Sequence, residues 1–206
     1  MARIELEYCS LHYLNQWPRR ERSLFESFRH LDRDTRLEAI AEAASFFKVA
    51  RNLPEKYDTD EGKQRYQPIL KIMDALEPSN FIPTKFVTAV QRVRDKVSQK
   101  YGGREVLSVT SKLLWLKFRS PIIIYDKRAR TALNVEPGNY EEYCSRWLER
   151  FETHQQVIKN ACDQLPPLRK YCSDPDLATE SYIRKLASDT WFRHRVFDIH
   201  LWHAGA

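Results

Sequence analysis

Residues 111–133 read SKLLWLKFRSPIIIYDKRARTAL, and two charges bracket an otherwise apolar stretch. Lys112 stands immediately before Leu113, Leu114, Trp115 and Leu116, while Asp126 follows Pro121-Ile122-Ile123-Ile124-Tyr125 and precedes a new helical pattern, KRARTAL. The first run predicts a helix starting around Lys112, with the hydroxyls of Ser108, Thr110 and Ser111 at its border. A hydroxyl there satisfies N–H groups that the first helical turn leaves open, and those N–H groups beside a lysine form an anion site. The Pro-led run is too short for a buried helix, so Asp126 is well placed to cap the helix that follows. On the residues alone two readings stand. The charges are a cap and a solvated lysine, or the chain carries an amine and a carboxylate to one cleft.

The flanking sequence has the same helical character. Gly and Pro are sparse inside long segments and apolar residues recur at three- and four-residue spacing, which predicts an all-α chain with few or no strands. Thr35 and Glu38 have capping-box spacing ahead of a stripe made by Leu37, Ile40, Ala41, Ala44 and Phe47. Upstream, Arg19 to Leu31 predicts a shorter helix with Leu24, Phe25, Phe28 and Leu31 on its apolar side. Pro54, Gly62, Pro68, Pro78 and Pro83 leave room for one short helix around Ile69 to Leu76 between loops. Beyond Pro83, Phe86, Val90, Val93 and Val97 face inward and Lys85, Arg92, Lys96 and Lys100 outward, and Gly102 or Gly103 ends the helix. Asn139 and Glu142 cap a long helix stopped by Pro166-Pro167. A last helical region spans about Asp176 to Trp202, with a break near Ser188. The expected architecture is two helical lobes flanking a cleft: about residues 80–135 form one, and 1–79 with 136–206 form the other.

A chain of 206 residues with 42% hydrophobic and 30% charged residues can bury a substantial core. Its net charge of +6 and pI near 9.1 favour a polyanionic partner, because neutralising phosphates releases condensed counterions. The N-terminus lacks a basic region followed by an apolar core, and no stretch approaches the roughly 20 apolar residues that cross a bilayer. A cytoplasmic protein without membrane association is therefore expected, and a monomer is the expected state. Cys9, Cys144, Cys162 and Cys172 are unevenly spaced with no CxxC pair, which fits reduced thiols and argues against zinc-ribbon and iron–sulfur sites.

The C-terminal segment WFRHRVFDIHLWHAGA gathers His194, Asp198, His200 and His203, which invites a metal reading. On a helix His194 and Asp198 share a face, but His200 is two residues from Asp198 and points elsewhere. A complete ligand set is not expected. Trp191, Phe197, Leu201 and Trp202 instead seal the core, with Asp198 paired to an arginine such as Arg195.

The order SVTSK, LLWLKF, PIIIYD and KRARTAL over residues 105–133 resembles the helix-hairpin-helix DNA glycosylases, the superfamily of the 8-oxoguanine and endonuclease III-type enzymes. These carry a lysine just after the hairpin, an apolar helix, then an aspartate capping a following helix. The chain is similar to a compact, divergent set of 8-oxoguanine-glycosylase-like bacterial proteins, including ones linked to defence against phage. Where the family's hairpin reads L-P-G-[VI]-G, this chain has Leu107-Ser108-Val109-Thr110-Ser111 and no glycine.

The resemblance implies excision of a damaged or modified base, hypermodified phage bases included, from double-stranded DNA. Asp126 would stabilise positive charge on the sugar and Lys112 would attack the anomeric carbon, which also permits strand cleavage by elimination. No metal or organic cofactor is implied. Ser108, Thr110, Ser111, Arg128, Arg130, Lys96 and Lys100 are the candidate DNA contacts. Trp115, Tyr125 and Trp17 are the candidate base-pocket aromatics, since stacking compensates a flipped base. The rival expectations are a catalytically silent helical DNA-binding or phage-interference protein, and an unrelated helical protein with a capping Asp126.

Overall fold

The computed structural model describes residues 5–54, 65–174 and 178–206, and Gly62 and Asp176 lie outside them. The helices are α1 (Leu6–Gln16), α2 (Arg22–Ser27), α3 (Arg33–Phe46), α4 (Gln67–Asp74), α5 (Phe86–Lys100), α6 (Leu107–Phe118), α7 (Lys127–Ala132), α8 (Tyr140–Asp163), α9 (Glu180–Ser188) and α10 (Thr190–Ala204). No strand occurs among the described residues, so the chain is all-α. No helix among them is long and apolar enough to cross a membrane.

The chain divides into two compact units: a central unit, Ser23–Tyr125, and a terminal unit, Met1–Arg22 with Asp126–Ala206. This division differs from the expected lobe boundaries near 80 and 135. Residues 23–79 group with 80–125 because α3 packs on α4 and α6, and α5 packs on both α4 and α6.

In the central unit α5 buries Phe86, Val90, Val93 and Val97 as its spacing predicts, and both Gly102 and Gly103 take the left-handed conformation at φ 75° after it. Helix α3 buries Leu37, Ile40 and Ala44, with Ala39 and Ala43 in place of the expected Ala41 and Phe47. Its cap is Asp32 rather than Thr35. The Asp32 carboxylate accepts from Thr35 N–H at 2.7 Å and from the Thr35 hydroxyl at 2.8 Å, so Thr35 sits inside the first turn as a donor. Helix α2 ends at Ser27. The Arg29 and His30 amides close turns onto Glu26 and Ser27, which directs Leu31 out to 95% exposure.

The terminal unit is built on α10, which packs on α1, α7, α8 and α9. The Asn139 side chain caps α8 by accepting from Glu142 N–H at 3.1 Å, and Asp189 separates α9 from α10 in an extended conformation. At its centre lies a buried ionic cluster. Arg195 bonds Glu21 at 2.6 Å and Asp198 at 3.2 Å; Tyr13 Oη donates to Glu21 at 3.0 Å and Trp147 Nε1 to Asp198 at 2.8 Å. The expected Arg195–Asp198 pair is present and Glu21 joins it. Trp202 does not seal the core, being 40% exposed.

Candidate functional site

Helix α6 starts at Leu107, five residues before the expected start, with Val106 at its N-cap and Glu105 Oε1 accepting from Leu107 N–H at 2.7 Å. Ser108, Thr110 and Ser111 therefore lie inside the helix, and Thr110 and Ser111 are fully buried. The expected anion site of open N–H groups beside Lys112 is corrected by this geometry. With every side from Leu107 to Leu116 apolar or buried, save half-buried Ser108, the helix is a core helix.

Within it Lys112 is only 4% exposed. Lysine is almost never buried to this degree unless partnered, and here Nζ donates to Ser108 Oγ at 2.7 Å and to the Tyr125 carbonyl at 3.2 Å. The Phe47 ring lies 6.0 Å away. Ser111 Oγ accepts from Tyr125 N–H at 2.9 Å, so one turn of α6 grips the end of the Pro121–Tyr125 run by both its amide and its carbonyl. The central unit thus brings Lys112, Ser108, Ser111 and Tyr125 together. Trp115 is 2% exposed and part of the core. Lys96 and Lys100 are exposed on α5, one turn apart and in line with exposed Arg92.

In the terminal unit Asp126 caps α7 as expected, its Oδ1 accepting from Arg128 N–H at 2.9 Å. The buried Tyr143 of α8 hydrogen-bonds the Asp126 backbone, and its phenol is pushed well above the ordinary range, by burial first and then by the charges of Asp198 and other neighbours including Asp126. Tyr143 was not expected at the site, although the spacing of Tyr140, Tyr143, Trp147 and Phe151 marks them as one inward face of α8. Arg128 is exposed, with its guanidinium 4.1 Å from the Trp202 ring. Arg130 turns back to donate to the Val135 carbonyl at 2.6 Å. Trp17 is buried against Trp191, ring centroids 4.7 Å apart.

All four cysteines are free and buried, and burial pushes the Cys9, Cys144 and Cys162 thiols up to about 12, far from the thiolate a nucleophile needs. Among the described residues no group of three His, Cys, Asp or Glu side chains could hold a metal ion. His194 instead packs edge-on to Trp147 and Phe151, at 5.0 and 4.6 Å.

The chain matches no protein-family model, no curated protein and no solved structure.

Proposed function

We propose that the chain is a compact DNA glycosylase of the two-lobed helix-hairpin-helix type, which flips a damaged or modified base from duplex DNA and cleaves its N-glycosidic bond. The observation that supports this reading is the buried amine of Lys112, fixed on Ser108 and on the carbonyl of the peptide bond that leads into Asp126. A solvated lysine serving only as surface charge needs no such cradle. In the proposed reaction the glycosidic electron pair leaves with the base while positive charge grows on the sugar. The Asp126 carboxylate stabilises that charge, and the Lys112 amine, once it has shed a proton, bonds to the anomeric carbon. Ring opening then gives a Schiff base, from which elimination can nick the strand. Lys96, Lys100 and Arg128 supply phosphate contacts; Ser108 and Ser111 orient Lys112 and Tyr125 from inside α6.

The experiment is base release from a panel of genomic DNAs, hypermodified phage DNA included, by the parent and by Asp126→Asn. Asparagine caps a helix about as well as aspartate, so the substitution isolates the charge. Base release should fall by a hundredfold or more, the order found when one transition-state electrostatic contact is removed, with DNA affinity nearly unchanged. Full activity in folded Asp126→Asn refutes the assignment. DNA binding by a parent that releases no base would leave the chain a catalytically silent DNA-binding protein.

A further inference from the structure

The three aromatics expected to stack a base, Trp17, Trp115 and Tyr125, are all buried. The terminal unit carries exposed aromatic rings elsewhere. Trp202 on α10 is 40% exposed and Tyr8 on α1 is 54% exposed, and between them runs an unbroken path of rings. Trp202 to His203 is 5.0 Å between centroids, His203 to Tyr8 is 6.0 Å, and Tyr8 to His12 is 5.9 Å. Arg128 covers the Trp202 end of the path at 4.1 Å. Among the described residues neither its guanidinium, nor the Trp202 indole N–H, nor the Tyr8 hydroxyl takes a hydrogen-bond or ion-pair partner.

We infer that this strip, Arg128–Trp202–His203–Tyr8–His12, is a binding surface for single-stranded nucleic acid, with bases on the Trp202 and Tyr8 rings and backbone phosphate on Arg128. Two properties select that ligand. Every base has a π-face, so ring platforms take successive bases irrespective of sequence, while a cation beside the ring tracks the backbone. The electrostatics match: His203 is held below its ordinary range by burial first, then by His12 and Arg128, with no carboxylate among the causes. That lowering favours the uncharged His203 ring, and Arg128 supplies the cation at the Trp202 end of the strip. The strip is also fixed in place. A Cβ on Gly205 would lie 1.9 Å from the Arg128 carbonyl oxygen, so the end of α10 and the start of α7 are closed on one another and hold Trp202 under Arg128. The inference does not depend on base excision: it assigns a surface for unpaired strand, whether or not a base is cleaved.

The test is titration of a fluorescently labelled oligothymidylate with the parent, Trp202→Ala, Trp202→Phe and Tyr8→Ala, with base release scored on the same preparations of the parent. Loss of one stacked base lowers affinity by roughly five- to a hundredfold, so Trp202→Ala and Tyr8→Ala should each weaken binding within that range, and Trp202→Phe should restore most of it. Arg128→Gln should reduce the salt slope by about 0.7, the value for one phosphate contact on a single strand. The exposed Tyr8 keeps the test valid if Trp202→Ala fails to fold. Unchanged affinity in both alanine variants overturns the inference while leaving base excision standing if the parent releases base. Trp202-dependent binding by a parent that releases no base keeps the strip and overturns the glycosylase reading. A parent dimer that Trp202→Ala dissociates, with oligonucleotide affinity unchanged, overturns the inference and gives the face to a second copy of the chain.

Discussion

Replacing Arg195 with methionine removes a cation from a cluster that holds two carboxylates out of water. Glu21 is 0% and Asp198 7% exposed, and Arg195 bonds them at 2.6 and 3.2 Å. The variant leaves Glu21 with Tyr13 and Gln16 as donors and Asp198 with Trp147, so neither carboxylate loses every hydrogen bond, but both lose the Arg195 charge. Breaking a buried pair in this way costs about 3–5 kcal/mol, a large share of the roughly 5–15 kcal/mol that stabilises a domain. The cost is also pH-dependent. Burial already raises the Asp198 carboxyl to about 6, against the lowering influence of Arg195, and removing the guanidinium drives it higher. A carboxyl whose folded value exceeds its unfolded value keeps a proton that the unfolded chain releases. Stability therefore falls as pH rises from about 4 through the folded value. In the parent that loss levels off above about pH 6; in Arg195→Met it continues to higher pH. Urea unfolding at pH 5 and pH 8 should thus show a deficit relative to the parent that is larger at pH 8, reaching about 3–5 kcal/mol there. A deficit equal at the two pH values, or under about 1 kcal/mol at pH 8, refutes the argument that Arg195 neutralises a buried pair.

Other consequences follow from single residues. Burial holds the His194 imidazole down at about 4 against an ordinary 6.5. The unfolded chain takes up a proton first, so this residue's share of stability is whole above pH 6.5 and is lost as pH falls toward 4, about 3 kcal/mol in all. His194→Phe should flatten that acid limb in thermal melts, and a limb identical to the parent's contradicts the assignment. Gly205→Ala forces a methyl against the Arg128 carbonyl, 1.9 Å away; overpacking of this kind costs about 1–3 kcal/mol, and an unshifted melting temperature would show that α10 is free to move off α7. Changing Lys96 and Lys100 together to glutamine should weaken binding to all duplex sequences alike and reduce the salt slope by about 1.8, two phosphate contacts' worth. An unchanged slope moves the DNA-binding face elsewhere.

Helical periodicity in the sequence carries the fold class and most inward faces. Phe86, Val90, Val93 and Val97 are buried as read, and Asn139, Asp126 and the break beyond Ser188 fall at helix ends. Helix α1 carries the same signal, with Leu6, Cys9, Tyr13 and Leu14 buried at helical spacing. What failed were helix starts decided by competition between neighbouring polar groups. Asp32 displaced Thr35 as a cap, and α6 begins at Leu107, whose N–H the Glu105 carboxylate accepts, ahead of the Ser108–Ser111 hydroxyls, and no local pattern ranks such rivals. Glu21 was unreadable for another reason. A glutamate among Arg19, Arg20 and Arg22 looks solvated, and the cation that neutralises it in the core, Arg195, lies 174 positions away. At the candidate site the sequence order pointed to Lys112 and Asp126; the burial of Lys112 and the grip of α6 on Tyr125 came only with the tertiary packing.

The most direct measurement is borohydride trapping on a DNA substrate whose base the parent releases, run with Lys112→Gln and Lys112→Arg. A nucleophilic Lys112 gives a covalent protein–DNA adduct and strand nicking in the parent and neither in the two variants, because arginine keeps the cation but offers no nucleophilic amine at neutral pH. Trapping and nicking in Lys112→Arg equal to the parent's would contradict the account and reduce Lys112 to a buried charge.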